Sequence, residues 1–179
     1  SHIIAAATTA VRLSRTYPKA SLFLASGRVV HEAGGAEAQE LAFAAASAVA
    51  YAKALIRQGL SAQDAFARIA LGLSADGDYF ITVAKLRAAR VIWAKIAGAS
   101  GADAPAVIEA RSSRRMLAKL DPWTNLLRLT SAGFGAAVGG AQAVVMGAYT
   151  DAMGLPTTFA RRQARNTQLV LMEESQLGR

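Results

Sequence analysis

The residues with the clearest chemical potential are His31 and Glu32. They follow a short apolar run, Ser21-Leu22-Phe23-Leu24-Ala25, closed by Ser26-Gly27. Such a run reads as a buried strand of a parallel sheet, and catalytic groups in a parallel α/β barrel gather just past the strands' carboxyl ends. His31 could serve as a general acid or proton donor; Glu32 could hydrogen-bond a ligand hydroxyl or amide. The plainer reading of His31 is a partly exposed loop residue. His2 is the other histidine, and the chain has no cysteine, so disulfides and thiolate metal sites are excluded. Gly139-Gly140 lies in neither G-x-G-x-x-G nor P-loop spacing and reads as a helix stop. Arg165-Asn166 reads as a tether from a helix surface to a strand loop.

The 179 residues carry a net charge of +8. A polyanion partner would suit that charge, either nucleic acid or the phosphates of coenzyme A. Only Arg111–Lys119 and Arg161–Arg165 are dense, however, and neither is interleaved with aromatics. Scattered Lys and Arg on solvated helix faces explain them, and no nucleic-acid partner is expected. The composition is 53% hydrophobic, largely through alanine. No apolar run approaches the roughly 18 residues that argue for a membrane span. The start, Ser1-His2-Ile3-Ile4, shows no signal-peptide pattern. A reducing, cytoplasmic setting is therefore expected, with no membrane partner.

These residues need elements to position them. The spacing predicts a helix over 2–16, broken at Tyr17-Pro18, then the strand at 21–26. A long alanine-rich helix follows over 36–58, with Leu41, Ala45, Ala48, Ala52 and Leu55 inward. Ser61-x-x-Asp64 resembles a capping box and starts a helix to about Leu73. Asp76 is expected to cap the next helix, where Ile81, Lys85, Ala88 and Ile92 share one side. Gly98–Pro105 is a loop suited to nicking or disorder. Strands are expected at 106–111 and 142–149. Between them Asp121-Pro122 should open a helix with Leu127, Thr130, Phe134 and Val138 inward, and Gly139-Gly140 should close it. Thr157 or Thr158 caps a last helix. Trp93 and Trp123 read as core or interface. The fold class is α/β: about three parallel strands with many helices, forming a single domain over 1–179.

Several motifs then recur in one order. They are Asp-Pro-Trp-x-Asn-x-x-Arg (121–128), Gly-Gly-x-x-Ala (139–143), Gly-Leu-Pro (154–156) and Ala-Arg-Asn-Thr-Gln-Leu (164–169), followed by Glu173-Glu174-Ser175. Upstream lie His31-Glu32-Ala33-Gly34, Ala84-Lys85-Leu86-Arg87 and Trp93-Ala94. Together they resemble the methylmalonyl-CoA mutase family, and most closely the bacterial small, or β, subunit. The resemblance implies the C-terminal part of a (β/α)8 barrel. A whole barrel needs about 250 residues, so either the chain is a piece of a longer protein or partners supply the missing strands.

The resemblance also implies a chemistry, which this chain only partly keeps. The Tyr-His pair of the catalytic mutases falls on Arg28 and Val29, and His31 stands where the family has Gln. The polar positions of the next motif strand fall on Val107, Glu109 and Ala110, and those of the last strand on Val145 and Gly147. Catalytic residues are therefore expected to be none. Glu32, Gly139, Gly140 and Gln142 match and are the candidate cofactor-binding residues. Adenosylcobalamin is the family's cofactor, but its Asp-x-His-x-x-Gly signature is missing, so this chain alone is expected to bind none and to hold no metal. The resemblance leaves two readings: a non-catalytic chain that stabilises a partner, or a truncated acyl-CoA mutase that keeps acyl-CoA or cobalamin contacts. An open sheet with Leu22, Leu24, Val107, Val144 and Met146 facing inward should also drive association, as a homo-oligomer or with a catalytic mutase subunit.

Overall fold

The computed structural model describes residues 2–177. In chain order the elements are α1 (His2–Thr16), β1 (Phe23–Ser26), α2 (Arg28–Glu32), α3 (Glu37–Arg57), α4 (Ala62–Ala67), β2 (Ile69–Ala75), α5 (Tyr79–Ala99), β3 (Val107–Ser112), α6 (Thr124–Val138), β4 (Ala143–Val145) and α7 (Thr158–Leu169), with a π-helical turn at Val170–Glu174. The strands form one sheet in the order β1-β2-β3-β4. All three neighbouring pairs are parallel. The sheet is not closed, and it is one side of a barrel.

The fourth strand corrects the sequence reading. Ser61 does cap a helix, its hydroxyl accepting the Asp64 N–H at 3.0 Å. That helix stops at Ala67, and Ile69–Ala75 is a strand buried at every position. Its large side chains, Ile69, Leu71 and Leu73, face the helix-side core, and the residues between them, Ala70, Gly72 and Ser74, are small. With β2 present, the long stretch between the strands expected at 21–26 and 106–111 divides into two crossovers. At the other end, pairing in β4 covers only Ala143–Val145. It lies at the sheet edge, with one neighbour to pair with.

Register assigns the faces. Leu24, Ala70 and Val107 are aligned across β1, β2 and β3, as are Glu109 and Ala143. The inner face therefore carries Leu24, Val107, Glu109, Arg111, Ala143 and Val145. Val144 packs instead on the helix-side core, and Met146 on a second cluster with Leu129. The expected inward residues were thus right in β1 and β3 and one position out in β4. Leu22 precedes the strand and packs against the core.

The core lies between sheet and helices. Leu55, Phe66, Ile69, Leu71, Leu73, Leu86, Trp93 and Ile108 fill it. Ala44, Ala48 and Ala52 bury the inner side of α3, close to its expected stripe. In α5 the buried stripe is Thr82, Lys85, Leu86, Ala89 and Trp93, while Ile81 is exposed. In α6 the inward side is Asn125, Leu129, Ala132 and Ala136. Leu127 is exposed, so the helix is turned away from the expected face. Small residues let α6 approach the sheet closely; a wall of Leu and Phe would hold it off.

Several caps and loops also differ from expectation. Asp78, not Asp76, caps α5, accepting the Ile81 N–H at 3.2 Å. Asp121 does accept the Thr124 N–H at 3.3 Å and its hydroxyl as well, which holds the carboxyl below its ordinary range. Thr157 caps α7 through the Ala160 N–H at 3.2 Å. Gly140 has φ of 81°, the left-handed turn that ends α6. The loop after α5 is tied down: Gln63 exchanges bonds of 3.0 and 2.7 Å with the Asp103 backbone, and Ala102 and Ala104 are buried.

Candidate functional site

Parallel strands send all their carboxyl ends to one side. There the segments after β1, β2 and β3 meet over a buried polar network. β1 ends at Ser26, so the Ser74 N–H of β2 has no strand partner. The Glu40 carboxylate takes that N–H at 2.6 Å and the Lys85 ammonium at 2.6 Å. Both side chains are withdrawn from solvent. Glu40 comes from α3 and Lys85 from α5, so the pair pins two helices to the end of a strand.

His31 sits on the same network. It belongs to α2, not to a loop, and is 0% exposed. Nε2 lies 2.8 Å from Ser113 Oγ and 3.5 Å from Asp76 Oδ2; Nδ1 lies 3.6 Å from Glu40 Oε2. Arg115 completes the group, donating to the His31 carbonyl at 2.8 Å and approaching Asp76 at 4.0 Å. The expectation of a partly exposed histidine fails because α2 folds the ring under the loops. Enclosed there, the imidazole cannot reach a ligand; it joins the three connections instead. The helical spacing had put Lys85 on one side of its helix with Ile81, Ala88 and Ile92; of these four Lys85 is the buried one, and a lysine on an apolar stripe was the available signal for the network. Glu40 gave none.

This burial makes a pH prediction. The His31 pKa lies below its ordinary value of 6.5; burial is the main cause, Lys85 and Arg115 add to it, and Glu40 and Asp76 oppose it. The folded state therefore binds fewer protons than the unfolded one. Stability from this residue is fully present above about pH 6.5 and is lost as pH falls through the depressed value. Urea midpoints for the wild type should drop between pH 7 and pH 5, and His31→Gln should flatten that slope. Equal slopes would contradict the assignment.

Glu32 lies at the same end, accepting the Arg114 N–H at 3.0 Å. Gly139, Gly140 and Gln142 do not join it, because they precede β4 and sit at the opposite end of the sheet. Gln142 Oε1 accepts the Ile108 N–H at 2.8 Å, and Arg90 bonds the carbonyls of Gly139 and Gly140. A Cβ on Gly139 would come within 2.7 Å of Leu86. These three residues therefore have packing roles. Of the positions departing from the catalytic pattern, Val29, Val107 and Val145 are exposed and offer no polar side-chain atom. Trp93 is core as expected. Trp123 is exposed and stacks on Tyr149, with ring centroids 5.1 Å apart.

These residues do not fit a bound cobalamin. His31 is enclosed and its Nε2 engaged, and the four matched positions are split between opposite ends of the sheet. No group of three or more metal-ligating side chains occurs among the described residues. No described helix is long and apolar enough to cross a membrane.

A parallel sheet with its helices on one side and its loops gathered at the carboxyl ends defines an open part of a (β/α)8 barrel. The methylmalonyl-CoA mutase family model matches residues 3–179. The chain belongs to the methylmalonyl-CoA mutase family. It is 44% identical to the methylmalonyl-CoA mutase small subunit of Streptomyces virginiae over 165 residues, which are 91% of this chain and 27% of that protein. It is 46% identical to the probable small subunit of Mycobacterium bovis over 160 residues, 86% of this chain and 26% of the relative. Against the methylmalonyl-CoA mutase of Escherichia coli K12 it is 36% identical over 170 residues, 93% of this chain and 24% of the relative. The chain thus spans about a quarter of the length of these relatives.

Proposed function

We propose that the chain acts as a small-subunit-type member of its family: a single, cytoplasmic, non-catalytic domain that pairs with and stabilises a partner. The partner is a catalytic mutase chain or another copy of itself. The observation that carries this reading is the 44% and 46% identity to small-subunit relatives over 91% and 86% of the chain. Among the described residues β1 and β4 each have one neighbour, and an edge strand presents a row of backbone groups able to pair. On the inner face Leu24, Val107 and Val145 remain 40%, 37% and 39% exposed. Covering a few such side chains is worth several kcal/mol at about 25 cal/mol per Å2. Valines at 29, 107 and 145 support the absence of turnover, since none can donate a hydrogen bond or move a proton.

Sedimentation velocity at micromolar concentration tests this, with the chain alone and mixed with a catalytic mutase chain. The expected result is a species heavier than one chain in at least one of the two samples. A monomer that ignores both itself and the catalytic chain would end the proposal. The competing reading, a truncated mutase that keeps cobalamin contacts, predicts a saturable change in cobalamin's visible absorption. None is expected here.

A further inference from the structure

A helix packed on a sheet turns its apolar stripe inward and a polar face to water. The outer sides of α5 and α6 break that rule. On α6, Trp123 at the cap, Leu127 and Phe134 recur at steps of four and seven and so share one side. It is the side opposite the buried Asn125, Leu129, Ala132 and Ala136. On α5, Phe80, Ala84 and Val91 recur in the same way, opposite the buried Leu86, Ala89 and Trp93. Phe80 is 79% exposed and Leu127 73%, and Ile81, Val91 and Trp123 are exposed as well. We infer that this two-helix face is a self-association surface, which packs antiparallel on the same face of a second copy.

The two stripes form one surface. The Tyr79 ring lies 5.0 Å from that of Phe80 and 5.3 Å from that of Phe134, centroid to centroid, so aromatic contacts bridge the helices. The Ser131 hydroxyl donates to the Gly77 carbonyl at 3.0 Å and ties the start of α5 to the middle of α6. Together the exposed side chains present on the order of 500 Å2 of apolar surface, the size that marks an interaction site and not scattered exposure. With the polar rim around them, each copy approaches the roughly 800 Å2 per partner of a stable interface.

Charge selects a second copy as the occupant and sets its direction. Both helices start at the carboxyl end of the sheet, where Asp78 and Asp121 sit at their first turns, with Arg128 beside Asp121. Farther along α5 come Arg87 and Lys95, both exposed, and Arg90, which is held by the Gly139 and Gly140 carbonyls. The face is therefore acidic at one end and basic at the other. Antiparallel packing sets Asp78 and Asp121 of each copy toward Arg87 and Lys95 of the other, and a twofold axis makes that match twice. Parallel packing would bring like charges together, which costs affinity. A uniformly acidic partner would suit only the basic end. The inference rests on the proposal that the chain works by pairing, and it names one partner and one face.

Sedimentation equilibrium of the whole chain over the micromolar range tests it. A monomer–dimer equilibrium is expected, weakening as salt rises. Phe80→Asp and Leu127→Asp should each weaken dimerisation about tenfold or more, while Ile4→Asp, at an exposed position on α1, should leave it unchanged. Thermal melting of each variant separates loss of the contact from loss of the fold. Acrylamide quenching gives a second reading: Trp123 should become protected as the dimer forms, whereas Trp93 is buried in both states. A dimer indifferent to both Phe80→Asp and Leu127→Asp, or weakened as much by Ile4→Asp, would overturn the inference and leave the pairing proposal standing. A chain that stays monomeric alone yet joins a catalytic mutase chain would do the same. A monomer in both samples would end both.

Discussion

Glu40→Ala should cost roughly 3–5 kcal/mol of stability, because it strands a buried lysine. Lys85 Nζ reaches the Glu40 carboxylate at 2.6 Å, and the two side chains are only 1% and 0% exposed. Removing the carboxylate leaves an ammonium with no counter-charge and little access to water. It also orphans the Ser74 N–H, which donates to the other carboxylate oxygen. A domain's whole stability is typically about 5–15 kcal/mol, so this single change should consume a large part of it. The size of the loss says little about the net value of the pair. Replacing both charges with apolar groups of similar volume is often neutral. Glu40→Leu with Lys85→Met should therefore be less destabilised than Glu40→Ala, apart from the residual cost of the Ser74 N–H. Urea midpoints decide it: an unchanged midpoint in Glu40→Ala would mean that water reaches Lys85 and that the network is not buried.

Much of the architecture was legible, and the failures have a common cause. Helices with polar outer faces and clear stops, such as α3, were placed within a residue or two. Elements apolar on all sides were not. Ile69–Ala75 is buried throughout; Ile69, Leu71 and Leu73 do alternate with the small Ala70, Gly72 and Ser74, but the capping signal at Ser61 carried the helical reading past this two-residue period. In α6 the large apolar residues suggested one face, yet Ala132, Ala136 and the neighbouring glycines make the contact. There, closeness of approach outweighs bulk.

The candidate site divides the same way. Strand-end logic put His31 and Glu32 at the correct end of the sheet. It could not show that α2 would turn the imidazole inward, because that depends on Asp76, Ser113 and Arg115 arriving from distant segments. Likewise Gly139, Gly140 and Gln142 read as ligand contacts from motif order alone. A motif on the amino side of a strand and one on the carboxyl side of another can be adjacent in pattern and lie at opposite ends of the sheet.

The two tryptophans, which the sequence could not tell apart, should differ sharply on truncation. Trp93 is 1% exposed, packs edge-on against Phe66 with centroids 5.4 Å apart, and donates its Nε1–H to the Ala104 carbonyl at 2.8 Å. Trp93→Ala should cost about 3–5 kcal/mol, from lost apolar burial and the cavity left among rigid neighbours. It should also loosen the loop after α5, since the Ala104 carbonyl loses its donor; limited proteolysis near Ala102 would report this. Trp93→Phe keeps most of the packing and removes the hydrogen bond, so its loss should be smaller, with the loop still affected. Trp123 is 62% exposed and touches Tyr149 by stacking. Trp123→Ala should cost no more than about 0.5–1.5 kcal/mol in the isolated chain, the scale of an aromatic pair. Denaturant titrations of the three variants check the ordering. If Trp123→Ala proved as damaging as Trp93→Ala, α6 would have to pack with Trp123 inward, and the assignment of its buried face to Leu129, Ala132 and Ala136 would be wrong.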